Sequence, residues 1–407
     1  MPNQKVPTVL DLFCGAGGLT LGFQRAGFQC VGAMDWDNSA ILTHLENFSS
    51  RASRIDLGAG NPNDLPHADV IVGGPPCQGF SSAGMRNSSD KRNDLVARFA
   101  QIVNALKPRA FVFENVEGFL TAADGRHVMA LLRPLIASGY VIHARKVNAA
   151  NFGVPQHRKR IIVIGGLGWE PSFPDATHTA FGAPGAALAG RSLPLSPTLD
   201  QALSGLPPAH ARPPGDLQGH FFRALSGTDL LRAEALAPGQ SMRDLPADLQ
   251  HVSYQRRAFR RVRDGTPTER RGGAPTGIRR LKGDEPCKAI TGGTRNEFLH
   301  PRENRPLTLR ECARLQTFPD EFVFSGTLAQ QAQLVGNAVP PLLAQAIAKS
   351  LFRDLIRLEP GRPKDSGMLL SFVATLSEGA SPALKRVMES VRAEFDMKSD
   401  KHRKALS

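Results

Sequence analysis

An α/β protein built on a doubly wound, mostly parallel sheet, with a smaller irregular domain attached, is the fold this sequence predicts. Strand-like and helix-like segments alternate from residue 9 to residue 164, which implies a sheet covered by helices on both faces. A glycine-rich loop follows the first strand, where such sheets take ligands beyond their carboxyl ends. From about residue 170 to 305 the periodicity fades into Pro-, Gly- and Arg-rich chain, the mark of a separate and less regular unit.

Residues 9–13, 30–34, 69–72, 110–113, 140–147 and 160–164 read as strands. Residues 19–26, 38–47, 95–106 and 125–137 read as the helices between them. After the break, 308–315 reads as a capped helix and 340–358 as a long amphipathic one. The expected domains are therefore 1–170 plus 330–358, a discontinuous sheet-bearing unit; 171–329, the basic unit; and 359–407, a helical extension. In that extension Pro382 precedes Leu384, Val387, Met388, Val391 and Phe395, which share one helical face.

The chain has 407 residues, 41% of them hydrophobic, enough for two globular domains. It has no apolar run of membrane-spanning length and no signal-peptide pattern, so a cytoplasmic protein is expected. Cys14, Cys30, Cys77, Cys287 and Cys312 form no Cys-x-x-Cys pair. That argues against a disulfide framework or structural zinc, and no metal is expected. A net charge of +13 favours a polyanionic partner, most simply nucleic acid.

The most informative segment is Gly73-Gly-Pro-Pro-Cys-Gln-Gly-Phe-Ser-Ser-Ala-Gly84. It follows the β-branched run Val70-Ile71-Val72, a buried strand. Pro75 and Pro76 fix φ and remove two donors, so Cys77 stands on a stiff loop at a strand end. Most free cysteines serve only as small buried hydrophobes; one presented in this way is a candidate nucleophile. Asp11-Leu-Phe-Cys-Gly-Ala-Gly-Gly18 opens the first helix, but without the Gly-x-Gly-x-x-Gly spacing of a dinucleotide site. Asp35 at the end of the second strand suits a ribose diol, Trp36 could stack on a purine, and Asp56 could accept from an exocyclic amine. The set suits a nucleoside without a pyrophosphate, a description that S-adenosylmethionine meets. Glu114 ends another strand at the edge that carries Cys77. Arg158 and Arg160 occupy alternate positions of Gln156-His-Arg-Lys-Arg160, so that both point to one face.

With Arg310-Glu-Cys-Ala-Arg-Leu-Gln-Thr-Phe-Pro-Asp320 and Gly336-Asn-Ala-Val-Pro-Pro341, these motifs stand in a known order. From about residue 8 to 355 the chain resembles the bacterial DNA (cytosine-5-)-methyltransferases of the restriction–modification type. The resemblance implies a Rossmann-like methyltransferase sheet with a smaller target-recognition domain. It implies S-adenosylmethionine as cofactor, S-adenosylhomocysteine as product, and double-stranded DNA as partner. It also implies a monomer in the nucleoid, with any cognate restriction endonuclease acting separately. Cys77 would attack carbon 6 of a flipped cytosine, Glu114 would bind the N3 and N4 edge, Arg158 the O2 side, and Arg160 would support the loop. Cofactor contacts would map to Phe13, Gly15, Gly17, Asp35, Trp36, Asp56, Leu57, Pro76, Leu95, Asn337 and Val339. Gln78 and Ser81 would face DNA from the loop after Cys77. Arg256, Arg257 and Arg260 would meet phosphates, and Arg295 a base edge. A transfer-RNA cytosine methyltransferase, a regulator without catalysis and a nicotinamide-dependent oxidoreductase are the competing readings. Intact Cys77, Glu114, Arg158 and Arg160 weigh against the second, and the glycine spacing weighs against the third.

Overall fold

The computed structural model describes residues 6–76, 94–183, 192–211, 217–252, 254–255, 277–357, 367–374 and 380–395. Cys77, Gln78, Ser81, Arg256, Arg257 and Arg260 lie outside the described residues. Among those described, an eight-stranded sheet organises the chain. Its strands are β1 (Thr8–Leu12), β2 (Gln29–Asp35), β3 (Ala52–Arg54), β4 (Val70–Gly73), β5 (Ala110–Val116), β6 (Tyr140–Asn148), β8 (Lys159–Leu167) and Met368–Val373; the two-residue strand β7 (Gln156–His157) lies outside it. The order across the sheet is Met368–Val373, β6, β8, β5, β4, β1, β2, β3.

The centre of the sheet is apolar on both faces, as sheets sandwiched between helices must be. Val9, Leu10, Leu12, Val70, Ile71 and Val72 are all fully buried. Helix α3 (Asp94–Leu106) and α4 (Arg126–Ala137) cover one face, and α1 (Gly18–Arg25) with the helix Pro341–Arg357 covers the other. Gly22 allows the second pairing: a Cβ there would stand 2.4 Å from that of Ala344 and 2.7 Å from the Pro341 carbonyl. The helix Pro341–Arg357 thus packs directly on α1, more than three hundred residues earlier in the chain.

Two features differ from the sequence expectation. Strand β8 is antiparallel to both neighbours, β5 and β6, in an otherwise parallel sheet. Hydrophobic pattern records burial but not strand direction, so periodicity could not reveal this. The C-terminal extension is also not purely helical. Residues Met368–Val373 pair in parallel with β6, and Pro382–Glu394 forms the expected helix.

The basic unit has little regular structure. Leu281, Cys287, Ile290, Phe298, Leu309, Cys312 and Phe318 form a core that also takes in Ala16, Ala40 and Phe48 from the sheet-bearing unit. Buried arginines replace secondary structure as its scaffold. Arg280 donates to the carbonyls of Ala233, Leu236, His300 and Glu303. Arg310 does the same for Gln218, Pro319 and Phe322.

Beneath the glycine loop lies a buried polar chain. Thr20 donates its hydroxyl to Asp11 at 2.7 Å, and His44 Nε2 lies 3.4 Å from that oxygen. The hydroxyl proton is already committed, so His44 Nε2 is the donor in this contact. Burial accordingly holds the His44 pKa down at about 4. An unfolded histidine protonates near 6.5, so between those values the unfolded chain binds the extra proton and stability falls as pH falls. The stability advantage of the wild type over a His44→Gln variant is expected to shrink below pH 6.5, by roughly 2–3 kcal/mol at pH 4. Urea unfolding of both proteins at pH 7, 5.5 and 4.5 checks this; a constant difference would refute it.

Candidate functional site

Parallel register brings the ends of β1, β2, β4 and β5 to one edge. Leu12 stands beside Met34 and Gly73, and Gly73 beside Phe113. The residues that follow (Phe13, Asp35, Gly74 to Pro76, and Glu114) therefore line one crevice. The reversed direction of β8 completes it, because its starting end meets the finishing end of β5, with Arg160 opposite Val116.

Glu114 is the centre of this edge. Its side chain is buried, and Arg160 Nε lies 2.8 Å from its Oε1. The contact is a close, charge-assisted pair in which the guanidinium faces the carboxylate. Burial pushes the Glu114 pKa up, while Arg160 and then Arg158 pull it down. The carboxyl is thus held between the cost of burial and the pull of the two guanidiniums, with Oε1 engaged by Arg160. Gly74 packs close beside it: a Cβ there would stand 3.0 Å from Glu114 Oε2. Asn115 Nδ2 donates to the Pro75 carbonyl at 3.3 Å, bracing the two-proline lead into Cys77.

The O2-side role expected of Arg158 is corrected by its surroundings. Arg158 is fully buried, and its two terminal nitrogens donate to the carbonyls of Ile290 (2.7 Å) and Gly336 (2.8 Å). It lies in the turn between β7 and β8, where segments distant in sequence reach it first. Arg160 is the guanidinium that accompanies Glu114. The Arg158 charge still reaches Glu114 through the low-dielectric interior.

Two buried residues missed as site components stand beside Arg158. Gln156 donates to the Leu315 carbonyl and to Gln316 Oε1, and accepts from Ile290 N–H. Gln316 in turn donates to the Val335 carbonyl at 2.6 Å. This amide pair joins the arginine strand, the Ile290 segment and the Asn337 strap. Both glutamines sit inside recognisable motifs, but only the fold shows them paired.

The second half of the crevice fits a nucleoside. Phe13, Gly15 and Gly17 have φ of 59°, 51° and 81°, a run of left-handed turns that bends the loop around open space. A Cβ on Gly15 would meet nothing within 4 Å. Asp35 is nearly buried and accepts from the N–H groups of Gly15 and Asp37, both at 2.9 Å, which orients its carboxylate. Beside it Trp36 is 66% exposed, a bare indole face of the kind that stacks on a base. Asp56 is exposed, Leu57 is buried, and Leu95 lies close to both around Gly58. Asn337 is exposed, and Val339 passes so near the start of α1 that a Cβ on Gly18 would strike its carbonyl. Pro76 is half-buried at the same edge. Among the described residues no cluster of three or more His, Cys, Asp or Glu could hold a metal, and no helix is long and apolar enough to cross a membrane.

Arg295, expected to meet a base edge, is half-buried on the short helix Thr294–Glu297. Its Nε is buried without a partner, and burial lowers its pKa. Only its terminal nitrogens are available for recognition.

Comparison with known proteins agrees with this geometry. A family model described as C-5 cytosine-specific DNA methylase matches residues 7–184 and 229–353. The chain is 35% identical over 357 residues to the Type II methyltransferase M1.HphI of Haemophilus parahaemolyticus, spanning 85% of this chain and 87% of that one. It is 33% identical over 359 residues to M.NgoFVII of Neisseria gonorrhoeae, spanning 86% and 87%. A crystal structure of a prophage-encoded Escherichia coli protein, assigned there as a DNA modification methyltransferase, superposes with a TM-score of 0.64. It is 27% identical and covers 86% of this chain and 99% of that one. With the family matched over most of its length and its sheet edge built as described, the chain belongs to the C-5 cytosine-specific DNA methylases.

Proposed function

We propose that this enzyme transfers a methyl group from S-adenosylmethionine to carbon 5 of a flipped-out cytosine within a specific sequence of double-stranded DNA. The observation that carries the reading is Glu114: a buried carboxyl paired with Arg160, one strand from the loop that leads to Cys77. The cofactor would rest on the Phe13–Gly17 loop, with Asp35 at the ribose, Trp36 on the adenine, and Asp56, Leu57, Leu95, Pro76, Asn337 and Val339 around it. When bound, it supplies an electrophilic methyl sulfonium.

The residues of the chain do the rest. A cytosine inside a duplex cannot reach this edge, so it must leave the stack. Cys77, as thiolate, bonds to carbon 6, which pushes electron density to carbon 5. Glu114 places a proton on N3 and accepts from N4, so that the ring can receive that density. Arg160 holds Glu114 in position and, with Arg158, keeps the local potential positive, which favours the thiolate. After methylation the carbon 5 proton leaves and the Cys77 bond breaks, restoring the aromatic ring.

Arg256, Arg257 and Arg260 would hold phosphates, Gln78 and Ser81 would close over the flipped base, and Arg295 would contribute to target reading. The domains at 1–170 plus 330–358 and at 171–329 divide chemistry from recognition. We read the protein as a cytoplasmic, nucleoid-associated monomer whose mark protects host DNA or labels it, with any cognate endonuclease acting separately. Transfer RNA is the alternative substrate on the same scaffold.

Duplex DNA carrying 5-fluorocytosine at the target, incubated with S-adenosylmethionine, is expected to form a denaturation-resistant adduct that Cys77→Ser cannot form. The target cytosine is first located by bisulfite sequencing of DNA from expressing cells. An adduct retained in Cys77→Ser would remove the nucleophile assignment; methyl transfer to transfer RNA in preference to DNA would overturn the substrate.

A further inference from the structure

The C-terminal extension lies beyond the matched family region, which ends at residue 353. Its strand Met368–Val373 lengthens the main sheet, and its helix Pro382–Glu394 buries Val387 and Val391 against the core beneath α3 and α4. Arg133 of α4 donates to both carboxylate oxygens of Glu394, at 2.6 and 3.1 Å.

The helix touches the body at a strained place. A Cβ on Gly125 would stand 2.9 and 3.0 Å from the two methyl carbons of Val387. Ala123, Asp124 and Gly125 have φ of 48°, 54° and 81°, three consecutive left-handed residues of which two are not glycine. L-residues keep that conformation only where their surroundings over-determine it. Arg126 Nε donates to the Ala123 carbonyl at 3.2 Å, and the tail helix closes the other side. These residues end the segment that continues β5 directly past Glu114. Its near end is held by an ion pair between Glu117 and Lys146, and Phe119 packs on Phe113 with ring centres 5.3 Å apart.

We infer that the extension is a clasp for this segment, and that Val387 is a positioning residue for Glu114. The inference rests on the catalytic reading of Glu114. Without Val387 the left-handed turn can relax, β5 loses its fixed exit, and the carboxyl shifts relative to the base. Small displacements of this kind cost about 10- to 100-fold in rate even from a distance. The cofactor crevice lies across β4 and β1, away from the clasp, so cofactor binding should be spared.

The test compares the full-length wild type with Val387→Ser and the milder Val387→Ala. Both are assayed for single-turnover methylation of saturating duplex DNA and for the S-adenosylmethionine KM, at a temperature where circular dichroism shows them folded. The expected result is a rate reduced about 10-fold or more in Val387→Ser and less in Val387→Ala, with the cofactor KM within twofold of wild type. Unchanged rates in the folded variants, or a rate and KM that worsen together, would overturn the clasp. If Val387→Ser does not fold, Val387→Ala alone decides by the same criteria. Loss of the Cys77 adduct in the wild type would instead indict the catalytic reading, which keeps the two failures distinct.

Discussion

Glu114→Gln is expected to lower single-turnover methylation by about 10²- to 10⁴-fold, the usual worth of a positioned general acid. The substitution keeps the size and hydrogen-bonding reach of the side chain but removes the proton it can give. In the wild type, burial raises the pKa of Glu114 against the pull of Arg160 and Arg158. As a general acid, this carboxyl gives cytosine N3 a proton and takes it back when the ring is restored. Glutamine cannot alternate, and its amide would meet Arg160 with a dipole in place of a charge. Asp35 and Trp36 lie on the other side of β1, so the S-adenosylmethionine dissociation constant should stay within about threefold of wild type. The alkaline limb of the pH–rate profile should also change in the variant, since a proton donor is lost as pH rises and that donor has gone. A loss of less than tenfold, or an unchanged alkaline limb, would assign the proton to another group.

Much of this edge was legible because its parts are local. Val70-Ile71-Val72 followed by two prolines announces a strand end, and Phe113-Glu114 announces another. Parallel pairing then brings both to one crevice. The direction of β8 was not legible, because burial and not direction shapes a strand's apolar pattern. The antiparallel placement explains why Arg160, at the start of its strand, meets Glu114, near the end of its own. The strand Met368–Val373 was missed for a related reason. Its run Met-Leu-Leu-Ser-Phe-Val is short and reads as readily as any buried segment. Only the open edge of β6 makes it a strand. The roles of the paired arginines were the furthest from reach. Spacing places Arg158 and Arg160 on one face, but what each touches depends on partners distant in sequence: Ile290 and Gly336 for Arg158, Glu114 for Arg160.

Arg158→Met is expected to destabilise the fold by roughly 2–5 kcal/mol, as two buried carbonyls each lose a donor at about 1–3 kcal/mol. The opposing effect is the release of a buried charge, which elsewhere can make such replacements neutral when both partners become apolar. Here the partners cannot become apolar. The carbonyls of Ile290 and Gly336 belong to the backbone and stay where the fold puts them. Nor can they turn toward other donors. Gly336 approaches the Thr291–Gly292 peptide so closely that a Cβ on it would stand 2.1 Å from Gly292 N. The orphaned acceptors should therefore outweigh the relief of desolvation. Arg158→Lys separates the two contributions, since it keeps the charge but presents a single ammonium where the guanidinium forks to two acceptors. If bridging is what matters, lysine should recover less than half of the lost stability, although its charge is intact. If charge near Glu114 is what matters, lysine should restore the methylation rate while leaving the protein unstable. Urea unfolding and single-turnover rates, measured on the same three proteins, tell these apart. A methionine variant within about 0.5 kcal/mol of wild type would show that Arg158 does not hold the two segments together.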